Sequence, residues 1–234
     1  MNDITDILNE LRRVEEKLNV YIPTLKKDVE FKALTLLQQK NIIDRVSSGN
    51  FGVIDFYNSI YNLIKGSTDH DVSNFNTIDR INIILFLVKN ISPKYNDIDI
   101  NVLLEKNKTL QLPEIEKTIR TDNFTFTVAV PTLTTDFIFN NYVINNFKQE
   151  KTLMGKLLIN EVSKFIKHIV VNETGQEIEL TKQPVKNAFL IVEALDTKQL
   201  KEVFKYITSI REVEVEFVKA GDKQIEIGPE LFVM

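Results

Sequence analysis

The chain has 234 residues, of which 43% are apolar and 26% are charged, and its formal net charge is −4. This balance supports a buried core and excludes a disordered chain, while the lack of a basic surplus argues against a dedicated nucleic-acid binder. There are no cysteines, so disulfides and thiolate metal sites are excluded.

An amphipathic helix is predicted over residues 1–20. Its apolar residues recur every three or four positions, as in a heptad repeat: Ile4, Ile7, Leu11, Val14 and Leu18. The stripe is open to two interpretations, packing on its own domain or docking on a partner chain. The segment has no uninterrupted apolar run, so we expect no signal peptide.

A hairpin followed by a helix is predicted between residues 20 and 44, where the apolar period changes from two residues to helical spacing. The first strand, 21–25, is predicted to be an edge strand because Pro23 cannot donate a ladder hydrogen bond. Thr35 and Gln38 have the spacing of a capping box at the start of the helix.

The rest of the chain alternates between helical and strand patterns. Further helices are predicted over residues 52–66, 76–90, 131–147, 157–169, 184–195 and 197–210. Strand patterns are found over residues 92–131, 170–181 and 212–228, the last as a hairpin that turns at 220–222. The longest apolar run, 81–88, is too short to span a bilayer.

These elements predict an α+β fold, built from helices and several short antiparallel hairpins after the N-terminal amphipathic helix. One internal boundary is indicated at 148–152. It divides a mixed α+β region, 21–150, from a helical region with a terminal β-hairpin, 151–234.

Few residues offer catalytic or metal-binding chemistry. His70 lies between Asp69 and Asp71, which could supply oxygen ligands to a metal, but a solvated loop histidine fits the pattern better. His168 is predicted near a helix C-terminus, where the helix dipole favours it. No nucleophile elbow or phosphate-binding glycine loop is present, so we expect no enzyme, no catalytic residues, no cofactor and no metal.

The order of the segments resembles that of one family, the T-even-like phage baseplate hub proteins. The stretch "YIPTLKKDVEFKALTLLQQKNII" resembles the family's hairpin-to-helix opening, and "DVSNFNTIDRINIILFLVKNIS" resembles a later helix of it. Thr77 and Asp79 occupy positions of that second motif, whereas Lys89 stands where an arginine is usual. The likeness extends from residue 21 to residue 232.

The resemblance implies a non-enzymatic subunit of a contractile-tail baseplate hub, whose partners are other tail proteins rather than nucleic acid or a membrane, with oligomerisation possible. It implies a location in the virion tail, and in the host cytoplasm during assembly. The alternative is a tail assembly chaperone that is absent from the mature virion. Family members often carry cysteines that could bind zinc, but this chain has none, so no metal is carried over.

Docking surfaces are expected along the heptad stripe and the predicted edge strand. The predicted partner-binding residues are Ile4, Ile7, Leu11, Val14, Leu18, Tyr21, Pro23 and Leu25. The closing stretch "ELFVM" is a further candidate, because its apolar residues are expected to be exposed.

Overall fold

A computed structural model describes residues 4, 6–7, 16–49, 51–91, 94–147 and 153–232. Within these ranges, eight helices and ten short strands confirm the predicted α+β class. The helices are α1 (Leu36–Ser48), α2 (Val53–Ser67), α3 (Thr77–Lys89), α4 (Ile100–Asn107), α5 (Leu133–Phe147), α6 (Leu153–Phe165), α7 (Val185–Ala194) and α8 (Lys201–Val218). The strands are β1 (Lys17–Ile22), β2 (Lys27–Lys32), β3 (Lys94–Tyr95), β4 (Ile98–Asp99), β5 (Glu116–Arg120), β6 (Phe124–Ala129), β7 (Ile166–Val171), β8 (Glu177–Glu179), β9 (Lys219–Ala220) and β10 (Lys223–Gln224).

The first hairpin is present, but it begins four residues before the predicted position. Strand β1 pairs antiparallel with β2, in a register that places Leu18 opposite Phe31 and Val20 opposite Val29. Leu18 therefore lies on a strand, and its assignment to the heptad helix was wrong. The physical reason is that Leu18, Val20 and Ile22 alternate, so burial of one strand face includes Leu18 as well.

Pro23 and Leu25 lie in the turn between β1 and β2 rather than on the predicted edge strand. Pro23 is buried and Leu25 is half-buried against the core. Ile4 and Ile7 are helical and are 73% and 52% exposed. Leu11 and Val14, the two remaining residues of the predicted stripe, lie outside the described ranges.

Helix α3 is the central helix of the fold. We predicted one apolar face, but 11 of its 13 residues are buried, so it is enclosed on nearly all sides. It packs against β1, α4, α5 and α8. Even so, among the helices in the described ranges, none has both the length and the apolar content that crossing a bilayer would require.

A four-stranded antiparallel sheet has the order β5-β6-β7-β8. Phe126 in β6 pairs with Ile119 in β5 and with Ile169 in β7. Strands β6 and β7 come from opposite sides of the predicted boundary at 148–152, and one apolar core includes residues from both sides. The turn between β7 and β8 contains Gly175 at φ +69°, a conformation that glycine adopts without a steric penalty.

The helix predicted over 157–169 ends earlier, at Phe165, and β7 begins with the next residue. His168 is therefore a strand residue, and its predicted place at a helix C-terminus was wrong. Four β-branched residues explain the difference, because they favour a strand once a partner strand is available: Ile166, Ile169, Val170 and Val171.

The hairpin predicted over 212–228 is largely absent. Helix α8 continues to Val218, and only Lys219–Ala220 and Lys223–Gln224 pair as strands. The alternating valine and glutamate residues also fit a helix, since Ile210, Phe217 and Val218 continue its buried stripe. Glutamate forms helices well, so extension of a helix already begun is favoured.

Two apolar residues of the closing stretch are not exposed as predicted, and the stretch continues with Val233 and Met234, which lie outside the described ranges. Leu231 and Phe232 are 3% and 1% exposed, and the Phe232 ring lies 6.2 Å from that of Phe56 in α2. The short 3₁₀ turn Pro229–Phe232 packs against α1. It therefore closes the core instead of offering a docking surface.

A cluster of buried ions joins α3, α5 and α6. Arg80 Nη1 lies 2.6 Å from Asp136 Oδ2, and Lys164 Nζ lies 2.7 Å from Asp136 Oδ1. The Arg80 guanidinium also lies over the ring of Tyr57, at 3.6 Å. Burial alone would raise the pKa of Asp136, but the charges of Lys164 and Arg80 outweigh burial and hold this pKa well below its usual range.

Replacing Asp136 by alanine would leave two buried cations without their carboxylate. We expect the free energy of unfolding to fall by about 3–5 kcal/mol, the usual effect of breaking a buried ion pair from one side. Because the pKa of Asp136 is depressed, its stabilising contribution is complete above the pKa of an unfolded aspartate, about 4, and is lost as the pH falls further. Urea unfolding followed by circular dichroism measures both effects.

The matched control is Glu30→Ala, which removes the exposed ion pair between Lys17 and Glu30. We expect this change to cost less than about 1 kcal/mol. Equal costs for the two substitutions would contradict the structural role of the Asp136 cluster.

Candidate docking groove

A groove runs between the first hairpin and the chain that follows α4. It consists of two cavities, of about 280 and about 600 Å³, which share Tyr21 and Lys108 as lining residues. We call it the hairpin groove. Its two banks are formed by Asn19, Tyr21 and Pro23 on one side and by Lys108, Leu110 and Leu112 on the other.

The outer edge of β1 borders this groove. The carbonyl of Glu16 accepts a hydrogen bond from the N–H of Ala33, next to β2, so alternate residues from Glu16 onward direct their main-chain groups toward β2. Asn19 and Tyr21 direct their main-chain N–H and C=O groups away from β2. The Tyr21 carbonyl accepts from Asn82, whereas the N–H and C=O of Asn19 have no partner within the described ranges.

Two buried asparagines connect the elements around the groove. Asn82 Nδ2 of α3 donates to the Tyr21 carbonyl at 2.7 Å, and Asn107 Nδ2 of α4 donates to Asn82 Oδ1 at 3.1 Å. Asn107 Nδ2 also lies 3.0 Å from the carbonyl oxygen of Phe217 in α8. These bonds fix the orientation of the Asn107 amide, and its Oδ1 has no hydrogen-bond partner in the described structure.

Asp79 holds the turn of the hairpin against α3. Its carboxylate accepts from Thr24 N at 2.9 Å, from Thr24 Oγ1 at 2.5 Å and from Asn76 N at 2.8 Å. The carboxylate is fully buried. Burial raises the pKa of Asp79 to about 6, although the hydrogen bonds from Thr24 and Asn76 oppose the rise.

The opposite bank is the segment of residues 108–115, which leaves α4 through a turn at 108–109 and is anchored at its far end. The Tyr206 hydroxyl of α8 lies 2.9 and 2.8 Å from the carbonyl oxygens of Glu114 and Ile115. The N–H of Val130 also donates to the Ile115 carbonyl. Across the described residues, no main-chain bond is made by positions 110–112, so their N–H and C=O groups remain open to a partner.

The groove carries more positive than negative charge. Lys26, Lys89 and Lys108 line it, against the two carboxylates of Asp28 and Glu105. Lys108 is paired with Glu105 at 2.7 Å, while Lys89 lies over the ring of Phe86 at 3.9 Å. Burial and the nearby charge of Lys108 lower the pKa of Lys89, and the charge of Glu105 opposes this decrease.

The structure brings only part of the predicted partner-binding set to this groove. Tyr21 and Pro23 line it, whereas Leu25 packs against the core and Leu18 lies on the strand face that carries the buried Val20 and Ile22. Asn82 and the whole opposite bank were not predicted from the sequence. An asparagine inside an isoleucine-rich helix and the proline-broken stretch "LQLPEI" were the signals that could have indicated them.

The two histidines show no catalytic arrangement. His70 is exposed, and the neighbouring Asp71 accepts a hydrogen bond from Ser73 N at 2.9 Å. His168 Nε2 lies 3.4 Å from Glu177 on the adjacent strand. In the described parts of the chain, no three side chains of His, Asp or Glu are grouped so that they could hold a metal ion.

Comparison with known proteins yields no relatives. No family model matches the chain, and no match was found among curated proteins or among solved structures.

The raised pKa of Asp79 predicts a specific dependence of stability on pH. Between about pH 4 and pH 6 the folded protein binds a proton that the unfolded chain does not, so this carboxyl lowers the free energy of unfolding as the pH rises. Relative to Asp79→Asn, the unmodified protein should gain about 1.4 kcal/mol between pH 7.5 and pH 5. Urea titrations of both proteins at the two pH values measure this difference, and parallel pH profiles would contradict it.

Proposed function

We propose that the protein is a non-catalytic component of a contractile phage-tail baseplate hub, and that it acts by docking onto other tail proteins. Two independent observations support the proposal. One is the ordered sequence resemblance to baseplate hub proteins over residues 21–232. The other is the hairpin groove, in which unpaired main-chain groups lie between two anchored banks.

The hairpin groove suits an extended polypeptide segment. A strand added along the outer edge of β1 would pair with the free N–H and C=O of Asn19. Leu110 and Leu112 offer apolar contacts, and Lys26 and Lys89 favour an acidic sequence in the partner.

The exposed helical residues Ile4 and Ile7 supply a second contact surface. Large apolar side chains with these exposures gain about 1.5–3 kcal/mol each when a partner fully covers them, before the cost of ordering. Docking on a partner chain is thus the function that we infer for the N-terminal stripe.

A tail assembly chaperone is the second candidate, since it would use the same docking surfaces and leave before the virion is complete. Quantitative mass spectrometry of purified virions separates the two. A stoichiometric amount of this chain identifies a hub subunit, and its absence from virions identifies a chaperone.

The strand-addition mechanism predicts that Asn19→Pro weakens partner binding at least tenfold. Proline removes the N–H that points into the groove, and it leaves the β1–β2 ladder intact because that N–H takes no part in it. Binding is measured by calorimetry with the tail protein that co-purifies from infected cells.

The matched control is Asn19→Ala, which keeps the main-chain N–H and should bind normally. Circular dichroism of both variants checks that the hairpin still folds. Equal affinities of the proline and alanine variants would contradict strand addition at this edge.

The N-terminal surface is tested separately by the double substitution Ile4→Asp and Ile7→Asp. Both side chains are exposed, so we expect the melting temperature to stay within about 2 °C of the original value and partner binding to be lost. The control is Val102→Asp, which places the same charge on the exposed face of α4. Undiminished binding by the double variant would show that Ile4 and Ile7 do not contact the partner.

A further inference from the structure

The four-stranded sheet ends on one side at β5, whose outer side has no neighbour among the described strands. The N–H of Thr121 donates to the carbonyl of Phe124 in β6, so the odd-numbered residues of β5 direct their main-chain groups toward β6. Glu116, Thr118 and Arg120 therefore direct their N–H and C=O groups outward. We call these three positions the β5 edge. Across the part of the chain that the structure describes, their main-chain groups have no hydrogen-bond partner.

The side chains of the β5 edge are exposed and carry both signs of charge. Glu116, Thr118 and Arg120 share the solvent face of the sheet, since the buried residue of the strand is Ile119, which points the other way. Glu116 lies 2.7 Å from Lys167, but 54% of its side chain remains exposed, so it can accept a second cation. Arg120 forms no ion pair with any residue in the described ranges.

The strand sequence "EKTIR" is complementary to an antiparallel copy of itself. When Thr118 lies opposite Thr118 of a second copy, Glu116 lies opposite Arg120 of that copy, and Arg120 lies opposite its Glu116. Because all three positions direct their main-chain groups outward, each pair exchanges two main-chain hydrogen bonds. Opposite charges and threonine pairs are favourable cross-strand combinations, so side chains and main chain favour the same register.

Like charges disfavour the neighbouring registers. A shift of the second copy in one direction places Glu116 opposite Asp122 of that copy. A shift in the other direction places Lys117 opposite Lys117. It also requires the main chain of Glu114, whose carbonyl already accepts the Tyr206 hydroxyl. The charge pattern therefore selects one register rather than general adhesion at this edge.

The opposite edge of the sheet does not share this complementarity. Strand β8 is only three residues long, and its sequence "EIE" would place Glu177 opposite Glu179 of a second copy. Repulsion between these carboxylates opposes self-pairing there. Of the two edges of the four-stranded sheet, only the β5 edge suits a second copy of the chain.

We propose that two copies of this protein pair antiparallel through the β5 edge, about a two-fold axis at Thr118, so that their four-stranded sheets become continuous. Each copy contributes the five residues of β5, so the interface is small, and the dimer is weak and depends on concentration. This pairing rests neither on the hairpin groove nor on the proposed docking function.

Sedimentation velocity of the full chain, from about 5 µM to about 1 mM, measures this association. We expect monomers to convert to dimers as the concentration rises, with no larger species, because the two-fold pairing occupies the β5 edge of both copies. A chain that stays monomeric at the highest concentration, or that grows beyond the dimer, would overturn the proposal.

Two single substitutions test the register. Glu116→Arg brings two arginines together in each pair, and Arg120→Glu brings two glutamates together, so each variant alone should dimerise at least tenfold more weakly. An equimolar mixture of the two variants should dimerise again, because opposite charges then meet in both pairs. Single variants that dimerise normally, or a mixture that stays monomeric, would refute the assignment.

Two controls locate the contact. Glu173→Arg, in the exposed turn between β7 and β8, changes the net charge as much as Glu116→Arg does and should dimerise normally. Asn19→Pro alters the hairpin groove and should also leave the dimer unchanged, and circular dichroism verifies that every variant folds. Loss of the dimer in Asn19→Pro would place the contact between copies in the hairpin groove and contradict pairing at the β5 edge.

Discussion

The enclosure of helix α3 is the constraint on which the rest of the structure depends. A helix buried on nearly all sides cannot leave a polar side chain without a partner, and α3 carries three polar residues within one turn. Asp79 accepts hydrogen bonds from the hairpin turn, Arg80 donates through Nη1 to Asp136 of α5, and Asn82 bonds to Tyr21 and Asn107. Of these side chains, Arg80 retains one buried atom, Nε, that has no hydrogen-bond partner in the described structure. Each of these bonds fixes a different element against the central helix, so the same three residues order both the core and the groove.

The N-terminal part of the fold could be predicted because its signals are local. Alternation identified the hairpin, and the spacing of Thr35 and Gln38 identified the capping box, which the structure contains with hydrogen bonds of 3.2 and 2.8 Å. The pattern failed at β7 and at the end of α8. In both places the residue pattern is compatible with a strand and with a helix. Which of the two forms depends on contacts with residues far away in the chain.

The groove was predictable only on the side of the hairpin. Because proline cannot donate a ladder hydrogen bond, Pro23 indicated an edge strand, and Tyr21 belongs to the same predicted strand. Asn107 belongs to the groove through bonds to Asn82 and Phe217, which lie 25 and 110 residues away in the sequence. No spacing rule connects positions so far apart, since their proximity is a product of the whole packed core.

The anchoring of both banks of the hairpin groove affects the affinity of the groove for a docking segment. The hairpin turn is held by Asp79, and the opposite segment is held by the hydroxyl of Tyr206, so a docking segment would meet a site that is already ordered. Such preorganisation leaves less conformational entropy to be lost on association. The buried ion cluster lies outside this groove, and its charges are paired with one another. The electrostatic potential in the groove is therefore set mainly by the lysines that line the groove.

The sheet order has a consequence for biosynthesis. Strand β6 can pair with β7 only after β7 has been synthesised. Phe56 can contact Phe232 only after synthesis has reached residue 232. A nascent polypeptide released early would present the unpaired edge of β6 and an open apolar surface, both of which promote aggregation. Completion of the sheet and the core therefore requires residues from both halves of the chain, and products that stop before β7 should be substrates for chaperones and proteases rather than partly active molecules.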